Sequence, residues 1–380
     1  MEYRKTTKCQ HRITANSGYS AQKCYFRDQV KNNKADKNVS VPTPLALYKT
    51  VAHNNILKNF IKQQMLKKFL LTIMLIGLIS CTQEKKSELD YEIITVDIDN
   101  FWNAYDALEE SQDSIKTFQN LYIDKASPEF EKFLELRNFT AKQYVNWIKG
   151  APEFWKTIRP LTLKVKNKKK EIDSIYYKME EYYPNFQAPN ICFAISPIQS
   201  GGTTDKGLIL IGTEIATVNP KTVDISEING FMKKVFENSF GDIKSLIAHE
   251  LVHTQQPNGD NENESLLSQA ITEGSADFIA TLLLEKQSMN SAIFNYGQKN
   301  QRKLWLEFKN DVDAGKTFEE TDWFYNYNSK RPADLGYYIG YKIAESYYKN
   351  SDNKEQAIKD IINMNEPKEF LEESSYGKSF

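Results

Sequence analysis

The chain has 380 residues, 40% hydrophobic and 12% aromatic, which is enough for a packed core and excludes an intrinsically disordered body. Its 49 basic and 50 acidic residues leave a formal net charge of -1, so the basic face that a nucleic-acid partner needs is not expected. Four histidines occur in the whole chain, His11, His53, His249 and His253.

Residues 1–64 are polar and lack sustained periodicity. They read as upstream sequence translated in error, or else as a disordered leader. From Met65 the chain runs "MLKKFLLTIMLIGLISC". Lys67 and Lys68 form a positive start, and Phe69 to Ile79 form an apolar run of eleven residues. A helix that crosses a bilayer needs roughly 20 residues, whereas eleven suit the core of a signal peptide. The run ends in Leu78-Ile79-Ser80-Cys81, which resembles the lipobox of bacterial lipoproteins. That resemblance implies a signal peptide over 65–80 and acylation of Cys81 as the mature N-terminus. It also implies a lipid anchor in the bacterial cell envelope, on its periplasmic or surface face. Residues 81–94 are then the lipidated cysteine and a polar tether. Cys9 and Cys24 leave with the leader, and Cys192 has no partner for an internal disulfide. It lies in the apolar run "ICFAI", which predicts a buried, inert thiol.

From about 95 to 182 apolar residues recur at three- and four-residue spacings, which predicts four or five helices. "SPEF" at 127–130 reads as a helix start, with Ser127 as N-cap and Pro128 at the first helical position. The basic run "KVKNKKK" at 164–170 reads as a solvated stretch rather than a binding patch. Next, "NICFAISP" and "GLILIGTEIA" are short β-branched runs around "IQSGGTTDK", which predicts two strands joined by a Gly-rich turn. From 226 onward the pattern is helical again. No Pro/Gly/Ser-rich linker interrupts the body, so residues 95–380 are expected to form one α+β domain, mostly helical with a small sheet.

The chemistry concentrates in "IAHELVHTQQP" at 247–257. Asp242 can cap a helix from Ile243 to about Gln256, ended by Pro257. On it Leu246, His249, Glu250 and His253 fall at i, i+3, i+4 and i+7 and share one stripe. A stripe that begins apolar and ends in two imidazoles and a carboxylate buries polar groups, and such burial is unfavourable without partners. Two imidazoles one turn apart can reach one zinc ion at about 2.0–2.1 Å, with Glu250 facing the bound water as general base. A helix that merely exposes its His and Glu is the competing reading. A third ligand decides between them, since a catalytic zinc takes three protein groups plus water. Downstream, "SQAITEGSADFIATLLLEK" reads as a second amphipathic helix over about 264–286. Gly274 in mid-helix is expected where this helix approaches the first closely.

Glu273, twenty positions after His253, and the Glu-x-x-x-Asp pair it forms with Asp277 resemble the gluzincin metallopeptidases. The resemblance implies Glu273 as third zinc ligand and Asp277 as acceptor of a hydrogen bond from a ligating histidine. The Gly-rich hairpin, the HExxH motif, "EGSADFIA" and "RPADLGYYIGYKIAESYY" occur in this order over roughly 190–375. Together they resemble a family of zinc-dependent proteases, predicted from sequence, that is common among bacterial lipoproteins and similar to a gliding-motility lipoprotein. A zincin-like fold and action on a peptide or protein substrate are what this implies. No third histidine follows the motif, which excludes the metzincin pattern. For the residue that holds the oxyanion, the candidates are Tyr337, Tyr338, Tyr341 and Arg331. A different class of function is open as well: a non-catalytic envelope or motility-complex lipoprotein with a structural or degenerate zinc site.

Overall fold

A computed structural model describes residues 89–239, 241–257, 265–326, 331–378 and 380, together with 62 and 65. The expectations for the leader, the signal peptide and Cys81 lie outside the described residues. From Ser87 to Phe380 the chain forms one compact unit.

The N-terminal half is a helical layer. It holds α1 (Val96–Asp106), α2 (Ser114–Leu121), α3 (Pro128–Arg137), α4 (Ala141–Gly150), α5 (Pro152–Lys164) and α6 (Lys169–Tyr182). That makes six helices where the periodicity predicted four or five, because short turns split the pattern more often than its spacing shows. Ser127 caps α3 as expected, accepting from the Phe130 N–H at 3.1 Å. Its own hydroxyl donates to buried Asp97 at 2.7 Å. Phe101, Trp102, Phe118, Tyr122, Tyr144 and Trp155 meet in an aromatic cluster inside this layer. Three lysines of the basic run between α5 and the first turn of α6 are paired: Lys166 with Asp99, Lys168 with Glu171 and Lys169 with Asp173.

The sheet has four strands in the order β1-β2-β4-β3: β1 (Ile93–Ile94), β2 (Asn190–Ala194), β3 (Gly202–Asp205) and β4 (Leu208–Gly212). It differs from the expected hairpin. The two apolar runs pair in parallel, Asn190 with Leu208 through Ala194 with Gly212. The Gly-rich segment between them supplies β3, which pairs antiparallel with β4. The turn of that hairpin is Lys206-Gly207, both at positive φ, which matches the right-handed twist of the strands. Consecutive burial along β2 and β4 means that both faces of the sheet are covered, as parallel strands require. Buried Tyr122 and Tyr144 both donate to the Ile195 carbonyl, at 2.7 and 2.9 Å, and so fix the end of β2 to the helical layer. Cys192 is buried and free, and burial pushes its thiol up.

After a one-turn α7 (Thr213–Ala216) and α8 (Gly230–Glu237), the C-terminal layer begins. It comprises α9 (Ile243–His253), α10 (Leu266–Leu284), α11 (Ser291–Asp313), α12 (Leu335–Asn350), α13 (Lys354–Ile362) and α14 (Pro367–Ser374). Asp242 caps α9 by accepting from the Ser245 N–H. The helix ends at His253, earlier than the Pro257 stop suggested. Gly274 of α10 faces α12, not α9: a Cβ there would collide with the backbone of Gly340 and Tyr341. Gly340 in turn lies against the Ala270 carbonyl. The two glycines thus serve one crossing, and α12 closes over α10 at near backbone contact.

Candidate metal centre

His249 and His253 leave α9 one turn apart, and Glu273 comes from the facing turn of α10. The two Nε2 atoms are 2.9 Å apart, and Glu273 Oε2 lies 3.3 Å from each. Tetrahedral donors at about 2.1 Å from a zinc ion would be spaced about 3.4 Å apart, so this trio fits such a cation. The outer ring atoms are held too. His249 Nδ1 is 3.1 Å from Asp277 Oδ1, and His253 Nδ1 is 2.7 Å from Gln256 Oε1. Both of these partners present an oxygen acceptor. Each imidazole is therefore held with a proton on Nδ1, which leaves Nε2 as the ring nitrogen that a metal would take. Gln256 is itself fixed by donating to the Thr272 carbonyl at 3.0 Å, and Gln269 donates to the second Glu273 oxygen at 3.2 Å.

The electrostatics agree with a charge-paired cluster. Burial pushes both imidazoles down, but Asp277 and Glu273 outweigh it at His249, and Glu273 does so at His253, so both lie above the ordinary value. Burial pushes Glu273 up, yet the two imidazoles hold it far below the usual carboxylate range. Glu250 is 7% exposed, and burial raises its carboxyl against the opposing pull of the two histidines. It is outside the donor trio and sits against the α-carbon of Gly202, where any side chain would displace it.

His249, Glu250, His253 and Glu273 open on one cleft of about 620 Å³. Its walls are the segment from Gln199 to Thr204 that leads into edge strand β3, the α9 and α10 turns with the trio, and Tyr325 and Tyr337. Of the four oxyanion candidates, Tyr337 reaches the site: its ring stacks on His249 with centroids 6.1 Å apart. The other three are placed elsewhere. Tyr341 packs edge-on against Phe278 and Phe294. Tyr338 is fully buried, with its hydroxyl on Gln301 at 3.2 Å. Arg331 pairs with Glu307 at 3.0 Å and covers the Trp323 ring. Helical spacing put Tyr337 and Tyr341 on one face, but α12 crosses α10 so closely that the later turn is buried past the cleft.

Sequence reasoning missed Gln256, Gln269, Arg137 and Tyr325. Gln256 stands three residues after His253, a spacing that could have flagged it. Arg137 and Tyr325 come from distant segments and had no local signal.

Among the described residues no helix is long and apolar enough to cross a membrane. No curated protein and no solved structure matches the chain. One family model, described as gliding motility protein GldB, matches residues 82–378. The chain therefore belongs to the gliding motility protein GldB family, a family of cell-envelope lipoproteins.

Proposed function

We propose that this motility-family lipoprotein holds one zinc ion through His249, His253 and Glu273 and hydrolyses peptide bonds in the cleft above it. The observation that carries this reading is the division of labour in the site. Three donors form a compact set, while a fourth group, the buried carboxylate Glu250, stands beside them on the cleft side and is not needed as a ligand. A purely structural zinc has no use for such a group.

Zinc, when bound, supplies Lewis acidity toward a carbonyl and lowers the pKa of a water. The chain's residues do the rest. Glu250 accepts the proton of the attacking water and passes it to the departing amine. The Tyr337 hydroxyl is the cleft donor available to a carbonyl oxygen that gains charge. The free edge of β3 offers backbone groups to an extended peptide, which aligns its scissile bond with the centre. Asp277 and Gln256 hold the imidazoles in the ligating tautomer.

The test is Glu250→Gln in zinc-loaded protein, assayed on a mixed peptide library. The substitution keeps shape and hydrogen bonding but cannot take a proton. Zinc content should be unchanged and cleavage should fall by about 10²–10⁴-fold. Full activity in the variant would remove Glu250 as the base.

The family match favours a second reading, in which the protein is a non-catalytic component of an envelope motility complex. The same trio would then hold zinc for stability or not at all. Zinc-loaded wild-type protein that cleaves no member of the library would support it.

A further inference from the structure

Arg137 is the last residue of α3. Asn138 follows in the left-handed conformation and its N–H closes the helix on Leu134. Arg137 is exposed and forms no ion pair among the described residues. It nevertheless lines the same cleft as the metal trio, and it is the one lysine or arginine among the described residues that do so. The rest of the wall near the edge strand is neutral and polar, with Gln199, Ser200, Thr203 and Thr204.

The same lining holds Arg137 together with Glu250 of α9 and Tyr325 ahead of α12. It also holds Gly202, against whose α-carbon the Glu250 carboxyl sits. Burial raises the Tyr325 hydroxyl, and the Arg137 charge is among the influences that oppose this.

Among the described residues, the acids in the cleft wall are Glu250 and Glu273. A divalent ion in the trio offsets them, which leaves the arginine, among those residues, as the uncompensated charge facing a ligand. A planar guanidinium takes a carboxylate through two parallel hydrogen bonds.

We propose that Arg137 selects the substrate: it pairs with a carboxylate of the bound peptide, supplied by an Asp or Glu side chain or by the C-terminus. This rests on the peptidase reading of the centre. It makes the preferred substrates acidic peptides or peptides held near their C-terminal end. Arg137 positions the chain and does not touch the reacting bond.

Binding separates this from catalysis. Zinc-loaded Glu250→Gln protein is titrated with fluorescent octapeptides in matched sets: internal Glu against Gln and Lys, and free against amidated C-terminus. The set in which removal of the carboxylate weakens binding names its source. We expect a preference of about tenfold or more for one carboxylate form, absent in Arg137→Gln and turned toward lysine-containing peptides in Arg137→Glu. Because the side chain is exposed and unpaired, both variants should fold as wild type does. Equal binding of charged and neutral peptides, or a preference that survives Arg137→Gln, would overturn the selection by Arg137 and leave the peptidase reading in place. If the zinc-loaded protein binds and cleaves none of the peptides, both fall together.

Discussion

At the scale of single residues, the site is a set of polar groups that hold one another in place. Asp277 accepts from His249 Nδ1 at 3.1 Å, and that bond decides which ring nitrogen is free for a metal. Asp277→Asn can present its N–H₂ instead of an oxygen and so favour the wrong tautomer. The loss of such an outer partner typically lowers metal affinity by about 10–100-fold. We expect a fall of that size in zinc affinity, measured by competition with a chelating dye, while the fold is kept. Unchanged affinity would mean that the His249 ring is oriented by packing alone. The two histidines were legible in the sequence because α-helical geometry converts His-x-x-x-His into two rings on one face. Glu273 and Asp277 were legible only through a family likeness. Spacing along the chain cannot show that α10 returns to α9, and the structure brings the four together. The oxyanion candidates divided: only Tyr337 of the four reaches the cleft, because the depth of a helix crossing is not written in its periodicity.

At the scale of elements, the α10–α12 crossing sets the back of the site. Gly274 and Gly340 let the two backbones meet, and the expectation that Gly274 faced α9 was corrected by this contact. Gly340→Ala would push a methyl group into the Ala270 carbonyl, with backbone and not a flexible side chain in the way. Overpacking of this kind costs about 1–3 kcal/mol, occasionally more. Chemical denaturation should show at least that loss, and zinc binding should weaken as α10 shifts. Wild-type stability in Gly340→Ala would mean that the helices can separate without penalty. The sheet teaches a related lesson. Short apolar runs rich in β-branched residues marked the strands at 190–194 and 208–212. Their parallel pairing was hidden, because a glycine-rich stretch long enough to look like a loop holds a strand of its own. β1, two residues long, has no pattern to detect.

At the scale of the whole molecule, one buried acid links stability to pH. Glu214 on α7 is fully buried and accepts from the Ser196 and Ile198 N–H groups and the Ser196 hydroxyl. Burial outweighs these bonds and pushes its carboxyl up to about 8. The folded protein thus binds this proton more tightly than the unfolded chain, whose carboxyl titrates in the ordinary range. Stability should be fullest below the ordinary carboxylate value and fall as pH rises toward about 8. Glu214→Gln keeps an acceptor but has no proton to lose. Urea unfolding at pH 5 and pH 8 should therefore show a smaller fall for the variant than for the wild type. Equal falls would show that Glu214 is ionised in the fold.

The α+β body, its mostly helical composition and its small sheet follow from the sequence, and the family match adds the cell-envelope lipoprotein. What gives the fold its chemistry is the claim that α9 and α10 close on a metal. The direct measurement is elemental analysis of purified protein, with the His249→Ala, His253→Ala double variant beside it. The account predicts about one equivalent of zinc in the wild type and nearly none in the double variant. Wild-type protein that takes up no zinc from a micromolar excess, or a double variant that keeps a full equivalent, would contradict it.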